Sequence, residues 1–149
     1  MISKIESDGL SDNEILSILR NVKVIAVVGA SNDPSKPAHY VPKFLKEKGY
    51  RIVPVNPFAE KVLDEKAYKS LMEIPFKVDV VVVFRPSKEV LPIAEQAIGK
   101  AGVLWMQEGI YSREAAEKAR SNGLKVVWNR CIMKEYVRLM GGKPRTVLK

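Results

Sequence analysis

The sequence predicts an α/β domain: a doubly wound parallel sheet with helices on both faces. Two observations carry that prediction. The runs VKVIAVV (22–28) and DVVVVF (79–84) are apolar enough to be strands buried on both faces, the usual setting of central parallel strands. Strand candidates then alternate along the chain with segments whose apolar residues recur at helical spacing. Right-handed crossovers give a five-stranded sheet, expected in the order 3-2-1-4-5, with a ligand at the switch point beyond the carboxyl ends of the strands.

Ser11-Asp12-Asn13-Glu14 is a capping box, and Leu10 and Ile15 are spaced for a hydrophobic staple. Ile15, Ile18, Leu19 and Val22 continue at helical spacing, so a short helix should lie across the sheet. The first strand ends in Gly29-Ala30-Ser31, a tight turn whose backbone N–H groups suit a phosphate. SNDPSKPAHY (31–40) reads as a loop, with Lys36 extended before Pro37. The next helix carries Val41, Phe44 and Leu45 and stops at Gly49. Pro42 requires that helix to start near Ala38–Val41, which leaves about ten residues after Gly29 and gives Lys36 reach over a ligand.

Tyr50–Val55 is the second strand, stopped by Asn56-Pro57. A short extended piece around Val62-Leu63 and a helical turn near Tyr68–Met72 precede the third strand, Asp79–Phe84. Ser87 is placed to cap a helix with the stripe Val90, Leu91, Ala94, Ala97 and Ile98; Pro92 falls in its first turn, and Gly99 and Gly102 end it. Val103–Gln107 is the fourth strand. Ser112 caps a helix bearing Ala115, Ala116 and Ala119, closed by Gly123. Leu124–Trp128 is the fifth strand, and Lys134–Met140 a last helix before Gly141-Gly142. Trp105 and Trp128 fall in strands and read as core. The whole chain, 1–149, reads as one domain with a core from about 22 to 140 and a basic tail, 141–149.

Composition narrows the function classes. The chain is 46% hydrophobic and 28% charged, the balance of a folded globular domain. No apolar run reaches the ~18–20 residues that a membrane span needs, so no membrane is expected. The start, MISKIESDGLSD, lacks the apolar core of a signal peptide. A single cysteine, Cys131, excludes an internal disulfide and fits a reducing compartment, so the cytoplasm is expected. The net charge of +8 would attract nucleic acid, an acidic partner or a polyphosphate. Outside the tail GGKPRTVLK, however, lysines are interleaved with glutamates as on solvated helix faces. A basic nucleic-acid-interacting module therefore stands only as an alternative.

The residues just past the strands form the expected site. Gly29, Ala30, Ser31, Asn56, Arg85 and Gln107 supply donors suited to phosphate, amide or ribose. No Ser-His-Asp order, metal cluster or spaced carboxylate pair accompanies them, so no residue is assigned a catalytic role. His39 reads as a helix-start residue. A nicotinamide dinucleotide fits poorly: A-S-N-D-P follows Gly29 where two further glycines belong, and Asn56-Pro57 stands where an acid would hold the ribose. An NADP-linked oxidoreductase of atypical fingerprint is the second alternative.

The segments VVGAS, SKPAHY, PVNP, VVVVFRPS, WMQEGI and NRC, in that order, resemble the small stand-alone CoA-binding domain proteins, which are similar to the CoA-binding domain of the succinyl-CoA synthetase alpha subunit. The resemblance runs from about Val22 to Leu139 and implies a Rossmann-like fold with coenzyme A or acyl-CoA as ligand. It implies that Gly29-Ala30-Ser31 holds the pyrophosphate through backbone N–H groups and the Ser31 hydroxyl, and that Lys36 reaches the ADP phosphates. Asn56 and Pro57 would lie beside the nucleotide. Phe84, Arg85 and Pro86 would wall the adenine or the pantetheine arm, and Gln107, Glu108, Gly109 and Ile110 would add further contacts. The 3′-phosphate is open among Lys36, Lys61 and Arg85.

Three of these residues carry a second reading. Arg85 also reads as a surface ion-pair partner and Glu108 as a loop-capping acid. Cys131 reads either as a small buried hydrophobe or as a thiol, favoured as thiolate by Arg130, that forms a mixed disulfide with CoA. Many relatives read D-R-C-P-K where this chain has Asn129 through Met133, which removes an acid and a lysine from the pattern. The synthetase's second domain, with its phosphorylatable histidine, is also unmatched. The implied role is a carrier, regulator or accessory subunit more than an enzyme, as a homo-oligomer or beside a larger acyl-CoA enzyme.

Overall fold

The computed structural model describes residues 5–143. Its valine-rich runs form the middle of a parallel sheet. β1 (Val24–Val28), β2 (Arg51–Val55), β5 (Val80–Val83), β6 (Val103–Met106) and β7 (Lys125–Val127) pair in the order β2-β1-β5-β6-β7. β3 (Lys61–Val62) and β4 (Glu65–Lys66) make a separate antiparallel hairpin, which replaces the single extended piece expected there. A 3-10 turn at Leu71–Glu73 takes the place of the helical turn expected near Tyr68–Met72.

The class is the expected doubly wound α/β, Rossmann-like fold. The third sheet strand in chain order lies beside the first, so the order reads 2-1-3-4-5 rather than 3-2-1-4-5. Pro54 supplies the physical reason. It has no N–H to offer an outer neighbour, which suits β2 to an edge, and its carbonyl accepts from Tyr68 N–H (3.0 Å) outside the sheet. Val80 through Val83 are each fully buried, which requires a strand on either side and a layer on either face.

Those layers divide the helices. α1 (Asp12–Asn21), α2 (Pro37–Glu47) and α5 (Ile132–Met140) cover one face through Ile15, Leu19, Leu45, Ile132 and Tyr136. α3 (Val90–Ala97) and α4 (Arg113–Ser121) cover the other through Val90, Ala94, Ala97, Ala115 and Ala119. Trp105 and Trp128 are buried as expected, on opposite faces. The Ser11 capping box forms, and Ser112 accepts from Ala115 N–H (3.2 Å). Ser87 does not cap α3. A 3-10 turn, Ser87–Glu89, precedes that helix, and the Ser87 hydroxyl accepts from Tyr111 N–H (3.0 Å). α5 begins at Ile132, ahead of the expected Lys134, because the Gln107 side-chain oxygen takes its first N–H (2.9 Å). Of the basic tail, residues 144–149 lie outside the described residues.

α2 departs most from expectation. It begins at Pro37, with Pro42 inside the helix. Pro42 leaves the Ala38 carbonyl without its intrahelical donor, and Ser31 N–H supplies one at 3.1 Å. The helix-interior proline thus becomes an anchor for the turn after β1.

Candidate functional site

Two cavities open at the carboxyl ends of the strands, one on each side of the switch point between β1 and β5. The first, about 640 Å³, lies toward α3 and is walled by Gly29, Ala30, Ser31, Lys36, Asn56 and Pro57 among others. The second, about 350 Å³, lies toward α2 and α5 and includes Phe84, Gln107, Glu108, Ile110 and Cys131. The boundary falls between neighbours in sequence: Lys36 faces one cavity and Pro37 the other, and Arg85 faces one and Phe84 the other.

Gly29 is on this divide for a steric reason. Its φ is +91°, and a Cβ there would stand 3.1 Å from the Phe84 carbonyl oxygen and 3.1 Å from Arg85 Cδ. The turn it opens is more committed than the sequence suggests. Gly29 N–H donates to Val55 O (3.0 Å) and Ser31 N–H to Ala38 O, so of the three N–H groups only that of Ala30 has no partner among the described residues. The Ser31 hydroxyl accepts from Asp33 N–H (3.0 Å) and keeps its own hydrogen to give.

Lys36 is positioned by nested turns. Asp33 accepts from Ser35 N–H (3.0 Å) and Ser35 Oγ (2.7 Å) through its carboxylate, and from Lys36 N–H (3.1 Å) through its carbonyl. The Ser35 hydrogen bonds hold the Asp33 carboxyl below its ordinary range, so it is ionised at neutral pH. Asn56 ties the loops together. It donates through Nδ2 to Ala30 O (2.9 Å) and accepts Phe58 N–H on Oδ1 (2.7 Å). The sole histidine, His39, sits in the first turn of α2 with Nδ1 2.7 Å from Ser31 O.

Several wall residues of the first cavity carry little signal in the sequence. Phe58 stands at its rim, 96% exposed. Lys69, Ser70 and Lys88 also line it. Among the described residues Lys36, Lys69 and Lys88 form no ion pair, whereas Arg85, also on the wall, pairs with Glu89 (2.9 Å). Arg85 thus forms the surface ion pair of one reading while standing on the cavity wall. Lys61 lies outside the cavity wall, and its carbonyl instead accepts from Asn32 Nδ2 (2.9 Å). A lysine ahead of a 3-10 turn and another inside one follow no helix or strand period, so the pattern of the sequence did not single them out.

The remaining expected residues gather elsewhere. Pro86 and Gly109 wall neither cavity. Pro86 opens the 3-10 turn before α3, and Gly109 N–H donates to Asn129 Oδ1 (2.7 Å). Glu108 pairs with Lys134 (2.7 Å) at the rim of the second cavity, and that hydrogen bond raises the lysine's pKa. Cys131 is 9% exposed on its wall. Arg130, which the second reading of Cys131 set beside the thiol, is engaged with carboxylates. Its guanidinium grips the fully buried Asp8 carboxylate at 2.7 and 2.9 Å, which raises the Arg130 pKa, and lies 3.7 Å from Glu135. No helix among the described residues is long and apolar enough to cross a membrane.

With this geometry in view, the likeness to known proteins is specific. Bacillus subtilis (strain 168) protein YneT is 40% identical over 123 residues, covering 82% of this chain and 91% of its own. A protein from Pyrococcus horikoshii OT3 has a solved structure that superposes with a TM-score of 0.88 at 46% identity, covering 95% of this chain and 100% of that one. The alpha subunit of acetate–CoA ligase [ADP-forming] II from Pyrococcus furiosus is 34% identical over 133 residues, 79% of this chain but 28% of the subunit. Residues 23–137 match the family model of the CoA binding domain, and on that match the chain belongs to the CoA-binding domain family.

Proposed function

We propose that the chain binds coenzyme A or an acyl-CoA, with the 3′-phospho-ADP end in the first cavity and the pantetheine arm running over Gly29 toward the second. One observation carries the reading: Lys36, Lys69 and Lys88, none of them in an ion pair among the described residues, converge on a single cavity beside the Ala30 N–H and the Ser31 hydroxyl. Gathered like charges repel one another, and a polyphosphate turns that repulsion into attraction. Lys36, Ala30 N–H and Ser31 Oγ take the pyrophosphate. Lys69 and Lys88 take the 3′-phosphate, in place of Lys61. The His39 ring braces the same turn, with Nδ1 on the Ser31 carbonyl. Homology to a ligase alpha subunit supports a place beside a larger acyl-CoA enzyme.

Thermal unfolding tests this directly. CoA at about a hundred times its Kd adds about 2.7 kcal/mol, which for a chain of this size raises Tm by roughly 5–10 °C. NAD and NADP should leave Tm unchanged, and dephospho-CoA should shift it less than CoA. An equal response to NADP, or stronger salt-sensitive binding to DNA or RNA, would overturn the assignment.

A further inference from the structure

The second cavity contains an unmatched donor. Gln107 is 4% exposed and stands on the cavity wall. Its side-chain oxygen is committed to Ile132 N–H at 2.9 Å, and because that partner can only donate, the orientation of the amide is settled. Its Nε2 hydrogens have no acceptor among the described residues. A buried donor left unmade is costly, so a bound group that accepts from it gains more than an ordinary surface hydrogen bond would give. The rest of the wall is largely apolar, including Val41, Phe84, Ile110 and Met133, and the Glu108–Lys134 pair neutralises its own charge at the rim. The chemistry that fits is a carbonyl oxygen joined to a short apolar chain, with no charge.

We propose that this cavity is a thioester subsite, in which Gln107 Nε2 donates to the carbonyl oxygen of an acyl-CoA while the acyl chain packs on Val41, Phe84, Ile110 and Met133. The proposal rests on the CoA reading above, which puts the pantetheine arm at the boundary of the two cavities. It goes further, because it makes the acylated form the preferred ligand. Free CoA has a thiol there, which cannot use the buried donor as a carbonyl does. At about 350 Å³ the cavity is near the lower end for ligand sites, which favours short acyl chains over long ones.

The decisive comparison is between butyryl-CoA and S-butyl-CoA, its thioether analogue lacking only the carbonyl oxygen, titrated calorimetrically against the wild-type chain. The proposal expects butyryl-CoA to bind roughly tenfold more tightly than the thioether, and more tightly than CoA. Gln107→Glu replaces the donor while keeping an acceptor for Ile132 N–H. It should abolish the preference for the ester, bringing the ester-to-thioether affinity ratio to one or below. Equal affinities for ester and thioether in the wild type would overturn the subsite and assign the amide hydrogens to water, while leaving CoA binding intact. If neither CoA nor butyryl-CoA binds, the CoA reading fails and the subsite falls with it.

Discussion

The two cavities share one crest and differ in almost every physical respect. The cavity toward α3 collects three lysines and Arg85 against one wall carboxylate, Glu89, which Arg85 takes, together with an aromatic ring standing in solvent. The cavity toward α2 and α5 is mainly apolar, its one ion pair cancels at the rim, and its distinguishing group is a single buried amide. The contrast arises at the switch point. β1 feeds α2 onto one face and β5 feeds α3 onto the other, so one step along the chain, Lys36 to Pro37 or Phe84 to Arg85, changes the cavity that a residue faces. A sheet whose windings diverge there can sort the charged and apolar ends of one extended ligand.

Gly29 offers the largest effect, because it lies on the divide and serves both sides. Gly29→Ala would force a Cβ to within 3.1 Å of the Phe84 carbonyl oxygen at φ +91°. Gly99→Ala is the matched control: its φ is +79°, yet nothing lies within 4 Å of the added atom. Both should lose about 1–2 kcal/mol to the left-handed backbone, roughly 2–8 °C in Tm. Only Gly29→Ala should also weaken CoA, by more than tenfold in direct titration, since Arg85 and the crest must shift to make room. Equal CoA affinity in the two variants would mean that the divide does not touch the ligand.

Phe58 tests the charged side alone. Full exposure of a phenyl ring is costly, and here its backbone is fixed by Asn56, which is itself tied to Ala30. An exposed ring whose backbone is held at the lip of the cavity is suited to stack on a base under the proposed function. Phe58→Ala should weaken CoA roughly 5- to 150-fold, the span of base–aromatic stacking, while 4′-phosphopantetheine, which lacks the adenosine, binds as before. A uniform loss for both ligands would remove the stacking role.

The crest was legible in the sequence to the extent that its parts are local. Buried valine runs, the Ser11 and Ser112 caps and the breaks at Gly29 and Asn56-Pro57 follow from short-range chemistry, and the structure repeats them. What depends on distant partners was not legible. Ser31 N–H looks free until Pro42 leaves a carbonyl unpaired across the loop. Arg130 looks like a neighbour for Cys131 until Asp8, 122 residues away, claims it. Gln107 looks like one contact among four until Ile132 takes its oxygen and fixes where its hydrogens remain. The strand order shows the intermediate case: Pro54 carried the edge signal, but its weight appears only when the outer neighbour is asked for an N–H.

Cys131 should give the smallest change in affinity and so sharpens the apolar side most narrowly. Its wall position brings it near the thiol end of a bound CoA under the proposed function, while the charge of Arg130 is committed to Asp8 and Glu135. Exchange then draws on proximity, with Lys134 the cation on the same wall. With CoA disulfide, the Cys131 thiol gives its proton to water and attacks as thiolate at one sulfur of the S–S bond, a protein–CoA disulfide forms and one CoA leaves as thiolate. Intact mass should rise by one CoA per wild-type chain and not at all for Cys131→Ser, whose affinity for CoA stays within about twofold of wild type, since removing a wall sulfur costs only a few tenths of a kcal/mol in packing. An unmodified wild-type mass after prolonged incubation would place the thiol end away from Cys131. Combined with an intact butyryl-CoA preference, that result would confine the acyl chain to the Phe84 and Ile110 side of the cavity.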